Sequence, residues 1–191
     1  MKKIALLTIA KGKSKRLKNK NKLIYNGKPM FLWNIEKGLT ISKNYYFNSD
    51  DDEMIDMAAE LGLKTIKREK RLQGQEIPSR LIFKSCFKHM PKSIDGILHI
   101  QANSPNLDIK LIRCALKIMQ LEKIEELLSC DTNYNQYGSL WGITKKRIKE
   151  YNMNKHIHDR KVIKPDCFLV DKSVDIHDMK DFKRSLSQSV K

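Results

Sequence analysis

The chain has 191 residues, enough for one domain with a full core and short for two. A hydrophobic share of 40% excludes a disordered polyelectrolyte, and no stretch approaches the roughly 20 apolar residues that span a bilayer. The formal net charge of +16 predicts attraction to polyanions, but the lysines are spread over nearly every segment, so charge alone does not separate a nucleotide enzyme from a nucleic-acid binder.

Met1 to Ala10 carries lysines and a short apolar run that ends at a Lys/Gly-rich segment without a small-residue cleavage site. A first β-strand is therefore expected rather than a signal peptide, and the cytoplasm is the expected compartment. Ile4 to Ile9 is continuously apolar, as suits a parallel strand buried on both faces. A polar loop, Lys11 to Lys22, follows. Pro29 can open a helix on which Phe31, Leu32, Ile35 and Leu39 repeat at helical spacing.

Tyr45 to Asn48 reads as a second strand. Asp50 to Asp52 place carboxylates at the start of a helix carrying Met54, Ile55, Ala58 and Leu61, with Gly62 as its stop. Lys64 to Ile66 is a third strand, and Ile77 to His89 a helix. Gly96 to Ile100 is a strand closed by the loop Gln101 to Asn106, and Leu107 to Glu122 a helix. A further strand lies near Ser129. The C-terminal third is less regular, with strands at Ser139 to Ile143 and Asp166 to Val170 and a helix at Met179 to Leu186. No repeat or linker marks a second domain. The alternation predicts a single three-layer α/β/α, Rossmann-like domain with a mostly parallel sheet.

Cys86, Cys114, Cys130 and Cys167 have neither C-x-x-C nor matching His spacing, so reduced, packed thiols are expected. The first loop carries the richest chemistry. In open α/β sheets, ligands bind beyond the carboxyl ends of the strands, where such loops lie. Gly12 allows close approach of the backbone to a phosphate. Ser14 and free N–H groups can donate to it, while Lys15, Arg16 and Lys20 supply charge. Neither a Walker A loop nor a Rossmann fingerprint is present.

The run "IAKGKSKRLKNKN" followed by "NGKPMFLWNIEKGL" resembles the N-terminal signature of the acylneuraminate cytidylyltransferase family, the CMP-sialic acid synthetases and their relatives. Further segments resemble that family in the same order: "FNSDDDEMIDMAAELG", "ILHIQANSPNL" and "SVDIHDMKDF". The resemblance implies transfer of CMP from CTP to an acidic acceptor, a nonulosonic or sialic-type sugar acid or a smaller acid, with loss of pyrophosphate and with Mg²⁺ as cofactor. It places Ser14, Lys15 and Lys20 on the triphosphate, with Ala10, Lys11, Gly12, Arg16 and Asn21 lining the nucleotide site. Gln101 and Ser104 fall at the junction of nucleotide and acceptor, and Arg68 is a further nucleotide contact. Lys20, Gln101 and Asp175 would be catalytic, and Asp175 with His177 would form the metal segment.

The chain departs from the family pattern at informative positions. Lys11 replaces an arginine and Lys13 a glycine, and His177 stands where a second aspartate is usual. A histidine is a poor stand-in for a hard oxygen ligand of Mg²⁺. The arm that supports dimerisation in the family is shortened to "CDTNYNQY", so a homodimer built through it is not expected. Arg147, Lys155, His156, His158 and Arg160 could meet an acidic acceptor or form a solvated turn. The alternatives are a nucleotide-binding relative without turnover and a basic nucleic-acid-binding domain. Against the latter, no dense aromatic platform and no RRM, KH or zinc-finger signature is present.

Overall fold

The computed structural model describes residues 1–74, 77–151 and 164–188. Among them, a seven-stranded sheet forms the middle layer. Its strands in chain order are β1 (Ile4–Ala10), β4 (Tyr45–Ser49), β5 (Lys64–Lys67), β6 (Gly96–Ile100), β7 (Glu126–Cys130), β8 (Gln136–Thr144) and β9 (Cys167–Val170). The spatial order is β5-β4-β1-β6-β8-β7-β9. β1 lies parallel to both β4 and β6, and β4 to β5. β8 alone runs against its neighbours, antiparallel to β6 and β7, while β7 and β9 are parallel. The mostly parallel α/β sheet follows the sequence expectation.

Alternation along β1 explains the two cores. Ile4, Leu6 and Ala10 face one side of the sheet, against α1 (Met30–Leu39), α2 (Asp52–Glu60) and α4 (Ile109–Met119). Ala5 and Leu7 face the other side, against Ile82, Phe83 and Cys86 of α3 (Ser79–Phe87) and Ile148 of α5 (Lys145–Glu150). A third cluster joins Leu17 of the first loop, Tyr25, Met30, Val174 and Ile176, flanked by Phe182 and Leu186 of α6 (Met179–Gln188). It ties the C-terminal segment to the first loop.

Two local features were not anticipated from the sequence. The short strands β2 (Ile24–Tyr25) and β3 (Lys28–Pro29) form a hairpin through Asn26 and Gly27, both at positive φ. An Asn-Gly pair suits such a two-residue turn because both central residues must take left-handed angles. The second is α5, capped by Thr144, whose side chain accepts from Arg147 N. Elsewhere the boundaries shift by one to three residues. Within the expected Asp50–Asp52 run it is Asp51 that caps α2, accepting from Met54 N, and β8 extends beyond the expected Ser139–Ile143. The turn between β7 and β8 is closed by Asp131, whose Oδ1 accepts from Asn133 N at 2.8 Å and Asn135 N at 2.9 Å.

Candidate active site

The carboxyl ends of β1 and β6 lie side by side, and the first loop crosses above them. The loop is folded by its own residues. Leu17 is buried in the third cluster, and Asn19 takes a left-handed φ of 53° to enter a 3₁₀ turn at Lys20–Lys22. Asn21, only 5% exposed, donates from Nδ2 to Lys11 O at 2.9 Å and closes the loop on itself. Gly12 N donates to Asp50 Oδ1 at 2.9 Å. A side chain at Gly12 would collide with Asp51, since a Cβ there would lie 2.5 Å from Oδ2 and 2.8 Å from Cβ. The glycine thus serves a close approach between two loops. These ties leave Lys15 and Arg16 exposed on the outer face.

Arg68 braces the loop from below. It is 5% exposed and donates from Nη2 to Ala10 O at 2.7 Å and from Nε to Asn48 Oδ1 at 2.8 Å. Burial holds its pKa below the usual arginine value, opposed by Asp50. Burial likewise lowers Lys11, and the charge of Arg68 lowers it further.

Across the cavity stands Asp175. The segment that carries it is held by the 101–107 loop: Ile176 N donates to Asn103 O at 2.9 Å and Val174 N to Asn106 Oδ1 at 3.1 Å. That loop is in turn clamped from α1. Asn34, fully buried, donates from Nδ2 to the carbonyls of Gln101 and Ser104, both at 2.8 Å. Lys37 Nζ donates to Pro105 O at 2.6 Å and Leu107 O at 2.8 Å.

The Asp175 carboxylate accepts from Asn103 Nδ2 and from Gln101 Nε2, the latter at 3.3 Å. His177 Nε2 lies 3.0 Å from Asp175 Oδ2, and Arg16 Nη2 lies 3.2 Å from His177 Nδ1. The ring thus bridges the guanidinium and the carboxylate. Lys20 Nζ donates to Ile176 O at 2.7 Å. Burial lowers the Lys20 pKa to about 8, although the nearby Asp175 charge opposes the shift. Cationic loop and carboxylate therefore face one another across a partly desolvated gap.

Between them lies a cavity of about 570 Å³. Its upper rim is Lys11, Ser14, Lys15, Arg16, Lys20 and Asn21, and its far rim Gln101, Asn103 and His177. The rest of its lining combines apolar Ile9, Ile77, Pro78, Ile82 and Trp141 with Arg68, Ser79 and His99. Beside it, a second cavity of about 390 Å³ runs between Gly12, Lys13 and the Asp50–Asp51 turn.

The structure brings most of the expected residues together. Ala10, Lys11, Ser14, Lys15, Arg16, Lys20, Asn21, Arg68, Gln101 and His177 all line the main cavity, and Asp175 is bonded to Gln101 and His177 at its edge. Gly12 faces the second cavity. Ser104 is fully buried behind the 101–107 loop and lines neither cavity. Arg147 pairs with Asp166 at 2.9 Å instead. Lys155, His156, His158 and Arg160 lie outside the described residues. Asn103, His99 and Ser79 were not singled out from the sequence. Asn103 sits inside the quoted "QANSP" run, but its bond to a carboxylate 72 positions away carries no local signal.

Among the described residues no group of three His, Cys, Asp or Glu side chains could hold a metal by itself. One carboxylate with substrate phosphates and water nevertheless suits Mg²⁺, which commonly takes one or two carboxylates and keeps several waters. Asp175 meets that requirement. Both ring nitrogens of His177 are engaged, one with Arg16 and one with Asp175. Likewise, no helix of the described residues is long and apolar enough to cross a membrane.

Residues 5–162 match the family model described as cytidylyltransferase. No curated protein matches the chain in sequence. Several solved structures share the fold. A CMP:2-keto-3-deoxy-manno-octonic acid synthetase complexed with CTP superposes with a TM-score of 0.76 at 12% identity, over 98% of each chain. The 4-diphosphocytidyl-2C-methyl-D-erythritol synthase of Anaerococcus prevotii gives 0.72 at 9% identity, over 100% of this chain and 97% of that one. The manganese complex of Rv0371c from Mycobacterium tuberculosis gives 0.71 at 12% identity, over 97% and 98%.

Proposed function

The chain belongs to the cytidylyltransferase family, and from that premise we propose that it transfers CMP from CTP to a small acidic acceptor as a shortened, divergent relative of the acylneuraminate cytidylyltransferases. The observation that carries the reading is the cavity in which Lys15, Arg16 and Lys20 face Asp175 across the carboxyl ends of β1 and β6. The acylneuraminate branch is supported by the ordered motifs, above all the unbroken run from Ala10 to Pro29 and the segment around Asp175.

Such a transfer demands little covalent chemistry from a protein. An acceptor oxygen attacks the α-phosphorus, the bond to the bridging oxygen of the pyrophosphate breaks, and positioning and charge stabilise the crowded phosphorus. Ser14, Lys15 and Arg16 hold the triphosphate. Lys20, placed between that loop and Asp175, neutralises charge on the leaving pyrophosphate. Gln101 and Asn103 orient the Asp175 carboxylate. Mg²⁺, held by Asp175 with phosphate oxygens, would supply Lewis-acid polarisation of the α-phosphate.

The test is pyrophosphate release from CTP and Mg²⁺ against a panel of 2-keto-3-deoxy sugar acids and phosphorylated small acids. Release that requires one acid and CTP supports the reading; no release with any pair of nucleotide and acid overturns it. One observation favours a second reading, a relative that binds nucleotide without turnover: His177, in place of a second aspartate, stands 3.0 Å from the Asp175 carboxylate. That reading requires His177→Asp to gain transfer that the natural chain lacks. Robust activity of the natural chain removes it.

A further inference from the structure

His99 is the unusual residue in the cavity floor. It sits on β6 paired with Leu7 of β1, is 6% exposed, and its ring centroid lies 5.2 Å from that of Phe83, the planes tilted by 47°. Its Nε2 has no hydrogen-bond partner among the described residues. Burial, aided by the charge of Arg68, lowers its pKa to about 3, so the ring is neutral wherever the protein is folded near neutrality. A buried polar nitrogen left without a partner costs stability. The expected explanation is a ligand atom.

Which part of a nucleotide reaches this floor follows from the cavity's polarity. The phosphates belong on the upper rim, where Lys11, Lys15, Arg16 and Lys20 gather. Away from that rim the lining combines the apolar side chains Ile9, Ile77, Pro78 and Ile82 with the polar groups of Ser79, Arg68 and His99, a setting for a flat ring with polar edges. At the same end α3 begins at Ser79 behind Pro78, which supplies no side-chain cap. Within that first turn Leu81 N donates to Pro78 O at 2.9 Å.

We propose that His99 is a specificity-determining residue for the nucleotide, its Nε2 hydrogen-bonding the pyrimidine base seated between the floor and the start of α3. The inference rests on the reading of the cavity as a CTP site and adds the residue that reads the base. Because the ring is neutral, it discriminates by hydrogen bonding and shape and leaves the charge attraction to the first loop.

The test is calorimetric binding of CTP, UTP, ATP and inorganic tripolyphosphate to the natural protein, His99→Leu and His99→Gln, each checked for a native circular dichroism spectrum. The inference predicts that His99→Leu weakens CTP about tenfold or more while tripolyphosphate binding is unchanged. It also predicts a narrowed preference for CTP over ATP and partial recovery in His99→Gln, whose amide can replace the bond. Equal CTP affinity in His99→Leu overturns the inference, as does a parallel loss for CTP and tripolyphosphate. The two levels separate cleanly: a natural protein that binds tripolyphosphate but prefers no nucleotide refutes the CTP site itself, whereas CTP selectivity that survives His99→Leu refutes only the role of His99.

Discussion

The neutral His99 makes an acid-stability prediction that can be worked through. In the unfolded chain the ring titrates near 6.5, and in the fold its pKa is about 3, lowered first by burial and then by Arg68. Between those values the unfolded state binds one more proton than the folded state, so stability falls as pH drops below 6.5 and is fully present above it. pH 5 lies about 1.5 pH units below the unfolded value. At about 1.36 kcal/mol per unit, the cost of moving from pH 7 to pH 5 is about 2 kcal/mol from this residue alone. The carboxylates held below their usual range, Asp51, Asp131 and Asp166 among them, act at lower pH. The assay is urea unfolding at pH 7, 6 and 5, comparing the natural protein with His99→Leu. The natural protein should lose about 2 kcal/mol more than the variant across that range. Parallel curves would refute the claim that His99 is buried and neutral.

Other consequences follow from the same geometry. Lys20, with its pKa lowered to about 8 by burial, must be protonated to meet a phosphate. Tripolyphosphate affinity should therefore fall as pH rises above 8, by up to about tenfold per unit, and Lys20→Arg should remove the break. Asn34→Ala removes both Asn34 hydrogen bonds to the 101–107 loop and leaves those of Lys37; it should cost roughly 2–3 kcal/mol, seen as a midpoint lower by roughly 5–10 °C. Gly138→Ala would bring a Cβ within 2.7 Å of Gln101 Oε1. Because that side chain can move, thermal stability should stay close to native while turnover falls, and a large loss of stability would contradict the placement of Gln101.

The sequence carried the frame of this fold because its strongest signals are local. The apolar run of β1, the helical stripe on α1 and the carboxylates before α2 each act within a few residues, and each element formed where its pattern predicted. The site was legible where chemistry is crowded into one loop, from Ala10 to Asn21, and where a motif fixed Asp175. What escaped the sequence depends on distance. The strut from Arg68 to Ala10 spans 58 positions, and the bond from Asn103 to Asp175 spans 72. His99 reads as one more residue in an apolar strand until Phe83 and Trp141 are seen around it. Ser104 shows the converse: it belongs to a suggestive motif, yet its loop is turned so that only its carbonyl is used, by Asn34. The Asn-Gly turn before α1 was written in the sequence but lay beside a louder signal, the basic loop.

The most direct test of the CTP site is thermal unfolding with CTP, UTP, ATP and GTP, each with and without Mg²⁺. A ligand at about 100 times its dissociation constant adds about 2.7 kcal/mol, which for a chain of this length is a rise of roughly 5–10 °C. The account predicts such a rise for CTP above the other nucleotides, strengthened by Mg²⁺ and reduced in Asp175→Asn. An unchanged midpoint with every nucleotide would contradict it.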